Sequence, residues 1–323
     1  DPEMSRGLGD VYKRQEQKSV LIGMSGGVDS SVAAALLKEQ GYHVIGATMR
    51  LWTYSDSCNM KHEGCCAESA VEDARRVCDK LGIDFYVMNF KDMFKDKVVD
   101  YFVDEYIHGR TPNPCIACNK YLKFDALLKK ALAMGIDYVA TGHYAKIEKG
   151  EDGKYILRAS EAVKKDQSYV LYNFTQEQLA HTLMPLGGYN KDWVRQKAEE
   201  LGLGVAHKPD SQEICFVEDD DYAKFITDYS GYKPKEGDIL DVNGNVIGKH
   251  RGLIYYTIGQ RKGIGAYGRP MFVMKIDAEN NTITLGEKGM EFSNELTAYD
   301  VNFVSGEFPK ENMLTVSYTH LTL

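Results

Sequence analysis

The chain has 323 residues, 43% of them hydrophobic and 27% charged, with a net charge of −8. That length supplies core for two or three domains, and no apolar run approaches a membrane span. The acidic balance excludes a protein coated in positive charge, so any nucleic acid must be met by local basic patches. Seven scattered cysteines, Cys58, Cys65, Cys66, Cys78, Cys115, Cys118 and Cys215, make a poor disulfide framework and point to a reducing, cytoplasmic setting.

The two ends read differently from the rest. Asp10-Val11-Tyr12-Lys13-Arg14-Gln15 can be encoded by GATGTGTATAAGAGACAG, whose reverse complement in another frame gives Val316-Ser317-Tyr318-Thr319-His320. That DNA resembles a transposon end used in sequencing-library adapters. Residues 1–17 and 316–323 are therefore expected to be foreign to the fold, and the last domain to be cut short.

Between the ends, residues 18–145 alternate short apolar strands (20–23, 43–50, 84–90, 137–141) with helices (31–40, 67–81, 92–108, 119–134). The alternation predicts a parallel sheet covered on both faces, with ligands at the C-terminal ends of its strands. Gly23-Met24-Ser25-Gly26-Gly27-Val28-Asp29-Ser30 sits at the first such end, between a strand and a helix. Backbone N–H groups and the positive end of a helix converge there, so an anion is the natural occupant. Gly26 and Gly27 let backbone approach phosphate oxygens. Asp29 cannot hold a bare phosphate, and reads either as a Mg²⁺ ligand or as a brace for the loop. A Walker A loop would need a lysine, and none is present. The SGGxDS pattern instead resembles the PP-loop of the N-type ATP pyrophosphatases, which cleave ATP between its α- and β-phosphates and adenylate a substrate. Met49 and the run Thr141-Gly142-His143-Tyr144 fall at other strand ends, with Met49 open to an adenine contact or to a core role.

Further along, the polar loop 51–66 carries three cysteines and His62, at spacings that match no common zinc pattern. In Thr111-Pro112-Asn113-Pro114-Cys115-Ile116-Ala117-Cys118-Asn119 the prolines fix the backbone ahead of a helix expected to start near Asn119, which places a CxxC pair at its N-terminus. By itself that pair reads as a redox couple, half a metal site or chance. Residues 144–158 predict a hairpin, and Lys164-Lys165-Asp166-Gln167-Ser168-Tyr169 is a compact polar stretch. Thr175 and Gln178 suggest a capping box, and 191–201 a second helix. Cys215 lies isolated in Asp210-Ser211-Gln212-Glu213-Ile214-Cys215-Phe216. From about 234 the pattern turns to β, with hairpin turns at Asn243-Gly244 and Asn280-Asn281. Basic and aromatic residues mix at Lys249-His250-Arg251, Tyr255-Tyr256 and Gln260-Arg261-Lys262, as an RNA-contacting surface or a solvated basic face would have them.

Taken in order, the glycine loop, Pro112-Asn113-Pro114 with Cys118-Asn119, Ala140–Tyr144, Lys165–Tyr169, Asp210–Phe216 and Tyr256-Thr257-Ile258-Gly259-Gln260-Arg261 resemble the tRNA-specific 2-thiouridylase (MnmA) family over about residues 18–314. The resemblance implies an α/β fold: a parallel-sheet PP-loop (adenine nucleotide α-hydrolase-like) domain over 18–217, a small β-rich middle domain over 218–269, and the start of a truncated C-terminal β-barrel over 270–315. It implies ATP with Mg²⁺ at Gly23, Met24, Ser25, Gly26, Gly27, Val28, Asp29, Ser30, Met49 and Gly142. Cys215 is expected to carry a persulfide and Cys118 to reduce it, either releasing hydrogen sulfide or freeing the thiolated product, with a disulfide between the two as an end state. Asn113, Pro114 and Cys115 are expected at the target base, and His143, Lys165, Asp166 and Gln167 on the tRNA. The implied substrates are lysine, glutamate and glutamine tRNAs, and the implied sulfur source is a relay protein or cysteine desulfurase. Many members have Asp where this chain has Cys115, so the resemblance does not carry an Asp general base over to this chain. Cys115, Cys118 and Cys215 would suffice instead to ligate a [4Fe–4S] cluster with one open iron, a second route to the same product. Two further readings remain beside these: a PP-loop ligase or amidotransferase, and a nucleic-acid-binding or cluster-carrying protein without ATP chemistry.

Overall fold

The computed structural model describes residues 17–52, 68–210, 214–217, 220–290 and 297–307. Gln17 apart, the two foreign-reading ends lie outside these residues, as do His62, Cys58, Cys65, Cys66 and residues 211–213 of the Cys215 motif. The described residues form two compact units. The first takes in the described residues within 17–95, 115–216 and 302–307, the second those within 96–114 and 217–301. The stretch 96–114, expected within the first domain, thus belongs to the second unit.

The first unit is built on five strands: β1 (Ser19–Gly23), β2 (His43–Arg50), β3 (Asp84–Asn89), β4 (Tyr138–Ala140) and β7 (Thr182–Leu183). They run in the order β3-β2-β1-β4-β7, and every pairing is parallel. Val20, Leu21 and Ile22 are fully buried, as a strand covered on both faces requires. Helix α1 (Val28–Glu39) follows β1, with nine of its twelve residues buried. A helix apolar nearly all round belongs in a core, and each of Val32, Leu36 and Leu37 stabilises it by roughly 1.5–3 kcal/mol. Helices α2 (Glu68–Leu81) and α8 (Lys191–Glu200) contribute Ala74, Val77, Val194 and Ala198 to the same core. The order places β1 beside both β2 and β4, so the chain leaves β1 toward one side and β4 lies on the other. This is a topological switch point, where open α/β sheets hold their ligands. Strands β5 (Ala145–Lys149) and β6 (Tyr155–Ala159) form the expected hairpin.

The helix expected from Asn119 starts earlier. Its first turn is α5 (Pro114–Ala117), followed by a π-helical stretch (Cys118–Ala126) and α6 (Leu127–Ala133). Proline suits a first helical position because its missing N–H has no intrahelical partner there. Asn119 is consequently an interior residue, not a cap: it is buried and donates from Nδ2 to the Val170 carbonyl at 3.2 Å. Farther on, Thr175 and Gln178 close the capping box at α7 (Gln176–Ala180).

The second unit holds a four-stranded sheet, β10-β11-β8-β9, of β8 (Gly237–Leu240), β9 (Val246–His250), β10 (Met271–Asp277) and β11 (Thr282–Glu287). Both hairpins are antiparallel, and they join through a parallel β11–β8 pairing. The boundary expected between 269 and 270 therefore runs through one sheet, around a single cluster that includes Ile239, Tyr256, Val273 and Ile283.

Candidate active site

The glycine loop leaves β1 at the switch point. Gly26 has φ +70°, a left-handed conformation that favours glycine, and a Cβ on it would lie 2.2 Å from the Ala70 carbonyl oxygen of α2. Gly27 is the N-cap of α1 and makes no side-chain capping bond, which leaves first-turn N–H groups available to a ligand. The serines hold the loop inward: the Ser25 N–H donates to Ser30 Oγ at 3.2 Å, and Ser31 Oγ donates to the Gly27 carbonyl at 2.8 Å. Gly142, following β4, closes over this loop. A Cβ there would fall 2.7 Å from Ser30 N and 2.8 Å from Asp29 C. Met49 stands half-buried two residues beyond the Ala47 that pairs with Gly23, at the same edge of the sheet.

Asp29 is tied to residues far along the chain, as a brace for the loop would be. Its carboxylate accepts from Tyr144 OH at 2.7 Å and from Lys191 Nζ at 2.7 and 2.8 Å. Burial, reinforced by the Asp29 charge, pushes the Tyr144 phenol pKa upward, so its hydroxyl stays a donor. Lys191 also pairs with Asp210 at 2.7 Å, and Asp210 is met by Lys165 at 2.8 Å and Arg195 at 3.2 Å. Burial alone would raise the Asp210 carboxyl, but the bonds from Lys165 and Lys191 outweigh it and hold the group below its ordinary value. Lys208 reaches the Gly26 carbonyl at 3.1 Å and Asp73 at 2.8 Å. None of Tyr144, Lys191, Arg195, Lys208 and Asp73 was singled out from sequence as a site residue. Their partners stand up to 182 positions away, a separation that local pattern does not reveal.

The stretch 165–167 is tied inward. Asp166 accepts from the Ser160 N–H and Ser168 Oγ, while Gln167 exchanges bonds with the Tyr144 backbone. His143 shares a 2.7 Å hydrogen bond between Nδ1 and Thr141 Oγ1, and its ring packs on Phe124 at 5.8 Å. Burial, with Lys123 adding repulsion, lowers its pKa well below 6.5, so the imidazole is neutral at physiological pH. Phe124 lies on the helical run that carries Cys118, so that run is held against the β4 loop.

Cys115 is exposed and Cys118 buried on that run, and Cys215 is exposed in a turn. Phe216 anchors the turn: it is 1% exposed, with ring centroids 5.6 Å from Phe94 and 6.5 Å from Trp52. Asn113 and Pro114 belong to the second unit. Among the described residues, no three His, Cys, Asp or Glu side chains are grouped as a metal ion requires. Cys115, Cys118 and Cys215 therefore do not fit a cluster as a ready ligand set. In the second unit, Arg251 stacks on Tyr255 at 4.0 Å and Arg261 and Lys262 are exposed, whereas His250 and Tyr256 are buried.

Two family models match the chain: a tRNA methyl transferase HUP domain over residues 18–219, and a tRNA methyl transferase PRC-barrel domain over 223–287. Among curated relatives, the tRNA-specific 2-thiouridylase MnmA of Clostridioides difficile is 61% identical over 89% of this chain and 80% of its own length. The MnmA of Acetivibrio thermocellus is 59% identical over 92% and 84%. A crystal structure of a 4-thiouridine synthetase–RNA complex with bound ATP is similar at 19% identity and TM-score 0.39, covering 59% of this chain and 43% of that one. That likeness is too remote to carry weight. No helix among the described residues is long and apolar enough to cross a membrane.

Proposed function

The chain belongs to the tRNA-specific 2-thiouridylase family, and from that membership we propose how its own residues carry out ATP-dependent thiolation of carbon 2 of the wobble uridine in tRNA. The observation that carries the reading is the uncapped start of α1 behind Gly26 and Gly27. It opens at the β1/β4 switch point, in the same compact unit as Cys118 and Cys215. Gly23–Ser30 hold the phosphates of ATP, and Met49 and Gly142 border the nucleotide. Mg²⁺ would supply further positive charge to those phosphates, and Asp29, engaged here by Lys191 and Tyr144, is the loop carboxylate that would be available to hold it.

A uracil carbonyl oxygen is a poor leaving group, which is why ATP is needed. The C2 oxygen attacks the α-phosphorus, pyrophosphate departs, and the oxygen leaves later as part of AMP. The terminal sulfur of a Cys215 persulfide attacks C2, expels AMP and forms a C2–S–S–Cys215 linkage. The Cys118 thiolate then attacks Sγ of Cys215. The S–S bond breaks, the 2-thiouridine is released, and a Cys118–Cys215 disulfide remains for an external dithiol to reduce. Asn113, Pro114 and Cys115 contact the target base, which must leave the anticodon stack. His143 and the 165–167 turn contact tRNA, with Asp166 and Gln167 shaping that turn through their internal bonds. The lysine, glutamate and glutamine tRNAs, a persulfide donor of the relay or desulfurase type, and a cytoplasmic location complete the proposal.

The test is thiolation of unmodified glutamate tRNA with ATP, Mg²⁺ and a persulfide donor under anaerobic conditions, with 2-thiouridine read by mass spectrometry. Cys118→Ser and Cys215→Ser should abolish product, and Cys115→Asp should retain it. Activity that follows bound iron and collapses in Cys115→Asp would overturn the persulfide route.

A further inference from the structure

The glycine loop contains no lysine, yet a triphosphate brings several negative charges to it. Two lysines reach the loop from far along the chain. Lys191 opens α8, and its side chain is only 12% exposed. Its ammonium is divided between Asp29 on the loop and Asp210. Lys208, beyond the end of α8, touches the Gly26 carbonyl and Asp73. Around them, the four cations Lys165, Lys191, Arg195 and Lys208 face the three carboxylates Asp29, Asp73 and Asp210, and Arg76 also approaches Asp73 at 3.7 Å. An ion-pair cluster that served only the fold would need no excess of positive charge. Nor would it place an ammonium against the positive start of a helix, which opposes the dipole. An arriving polyanion relieves both conditions.

We propose that Lys191 and Lys208 are polyphosphate-binding residues, turning from Asp29 and from the Gly26 carbonyl to phosphate oxygens when ATP enters. This rests on the ATP-dependent function above and assigns to two distant side chains the charge that the loop lacks. Removing Lys191 alone would leave Asp29 unpaired beside the phosphates and weaken ATP by repulsion, even if Lys191 never touched them. Each lysine is therefore tested with the carboxylate nearest the loop already neutralised, while Asp210 keeps Lys165 and Arg195 when Lys191 is lost.

Binding of ATP and of adenosine to the full chain is measured by calorimetry for D29N against D29N/K191M, and for D73N against D73N/K208M. In each comparison, loss of the lysine should weaken ATP about tenfold or more, the size of one charge-assisted hydrogen bond, and leave adenosine within twofold. Equal ATP affinities within each comparison would overturn the proposal, showing that the lysines serve only to pair Asp29, Asp73 and Asp210. A parallel loss of adenosine would also overturn it, as damage to the fold. Failure of the unmodified chain to bind both ATP and adenosine would instead refute the ATP-dependent reading itself, and the proposal with it.

Discussion

Gly26 and Gly27 are adjacent and identical in chemistry, yet the structure predicts opposite consequences for adding one methyl group. At Gly26, alanine must adopt φ +70°, a left-handed conformation that costs an L-residue about 1–2 kcal/mol. Its Cβ would also stand 2.2 Å from the Ala70 carbonyl oxygen and 2.9 Å from Ala70 Cα. These are backbone atoms of α2 that cannot swing aside as a side-chain tip can. Overpacking of that kind adds about 1–3 kcal/mol, so Gly26→Ala should lose roughly 2–5 kcal/mol and lower the melting temperature by about 5 °C or more. At Gly27, φ is −105°, and the nearest atom to an added Cβ is Ser25 Oγ at 3.4 Å. Gly27→Ala should cost under about 1 kcal/mol, mainly for a poorer N-cap, while its methyl group stands where phosphate oxygens approach. The assay is thermal denaturation of both variants with and without saturating ATP, since ATP raises stability only as far as it binds. Gly26→Ala should melt early. Gly27→Ala should melt almost normally but lose most of the ATP-induced shift. Equal melting of the two without ATP would refute the reasoning about the left-handed position and the α2 contact.

Other expectations follow from single contacts. Phe216→Ala should destabilise the first unit by about 3–5 kcal/mol through the cavity left beside Phe94 and Trp52, read by urea denaturation, and should lower thiolation more than it lowers pyrophosphate release. Asp137 is held down to about 2 by Lys18 and by the Ser19 backbone and hydroxyl. Its contribution to stability is therefore present above the unfolded carboxyl value and lost as pH falls through the folded one. The stability gap between the unmodified protein and Asp137→Asn should shrink between about pH 4 and pH 2, and a constant gap in urea titrations would contradict it. Burial pushes the Cys78 thiol up to about 12, so iodoacetamide at pH 8 should label Cys215 in the native protein and Cys78 only after unfolding, as peptide mass spectrometry would show.

Much of the first unit was legible because its signals are local. Short apolar runs such as Val20-Leu21-Ile22 alternate with helices, and that alone specifies a parallel sheet. The glycine loop announces itself by composition, and Thr175 with Gln178 by spacing. Misread features depend on distant partners or on local competition. Pro114 starts the Cys118 helix early because proline is at home in a first turn, and Asn119 is then drawn inside by the Val170 carbonyl. The two-residue strand β7 is too short to show a period. The parallel β11–β8 pairing, which unites residues expected in two domains, depends on which edges meet. The ion-pair network at the loop was invisible for the same reason: Lys191 reads as an ordinary first-turn residue until Asp29 appears beside it.

On the proposed persulfide route, Phe216 also bears on how sulfur reaches Cys215. Consecutive Cα atoms are held about 3.8 Å apart. Because the neighbouring ring is locked into the core, Cys215 is tethered to a fixed pivot and can sweep only an arc of that radius. A thiol on so short a leash cannot travel out to a carrier in solution. On that proposed route, a donor's persulfide has to be delivered to within a few ångströms of this turn, which would make the surface around Cys215 a docking berth for the donor as well as the place where sulfur is handed on.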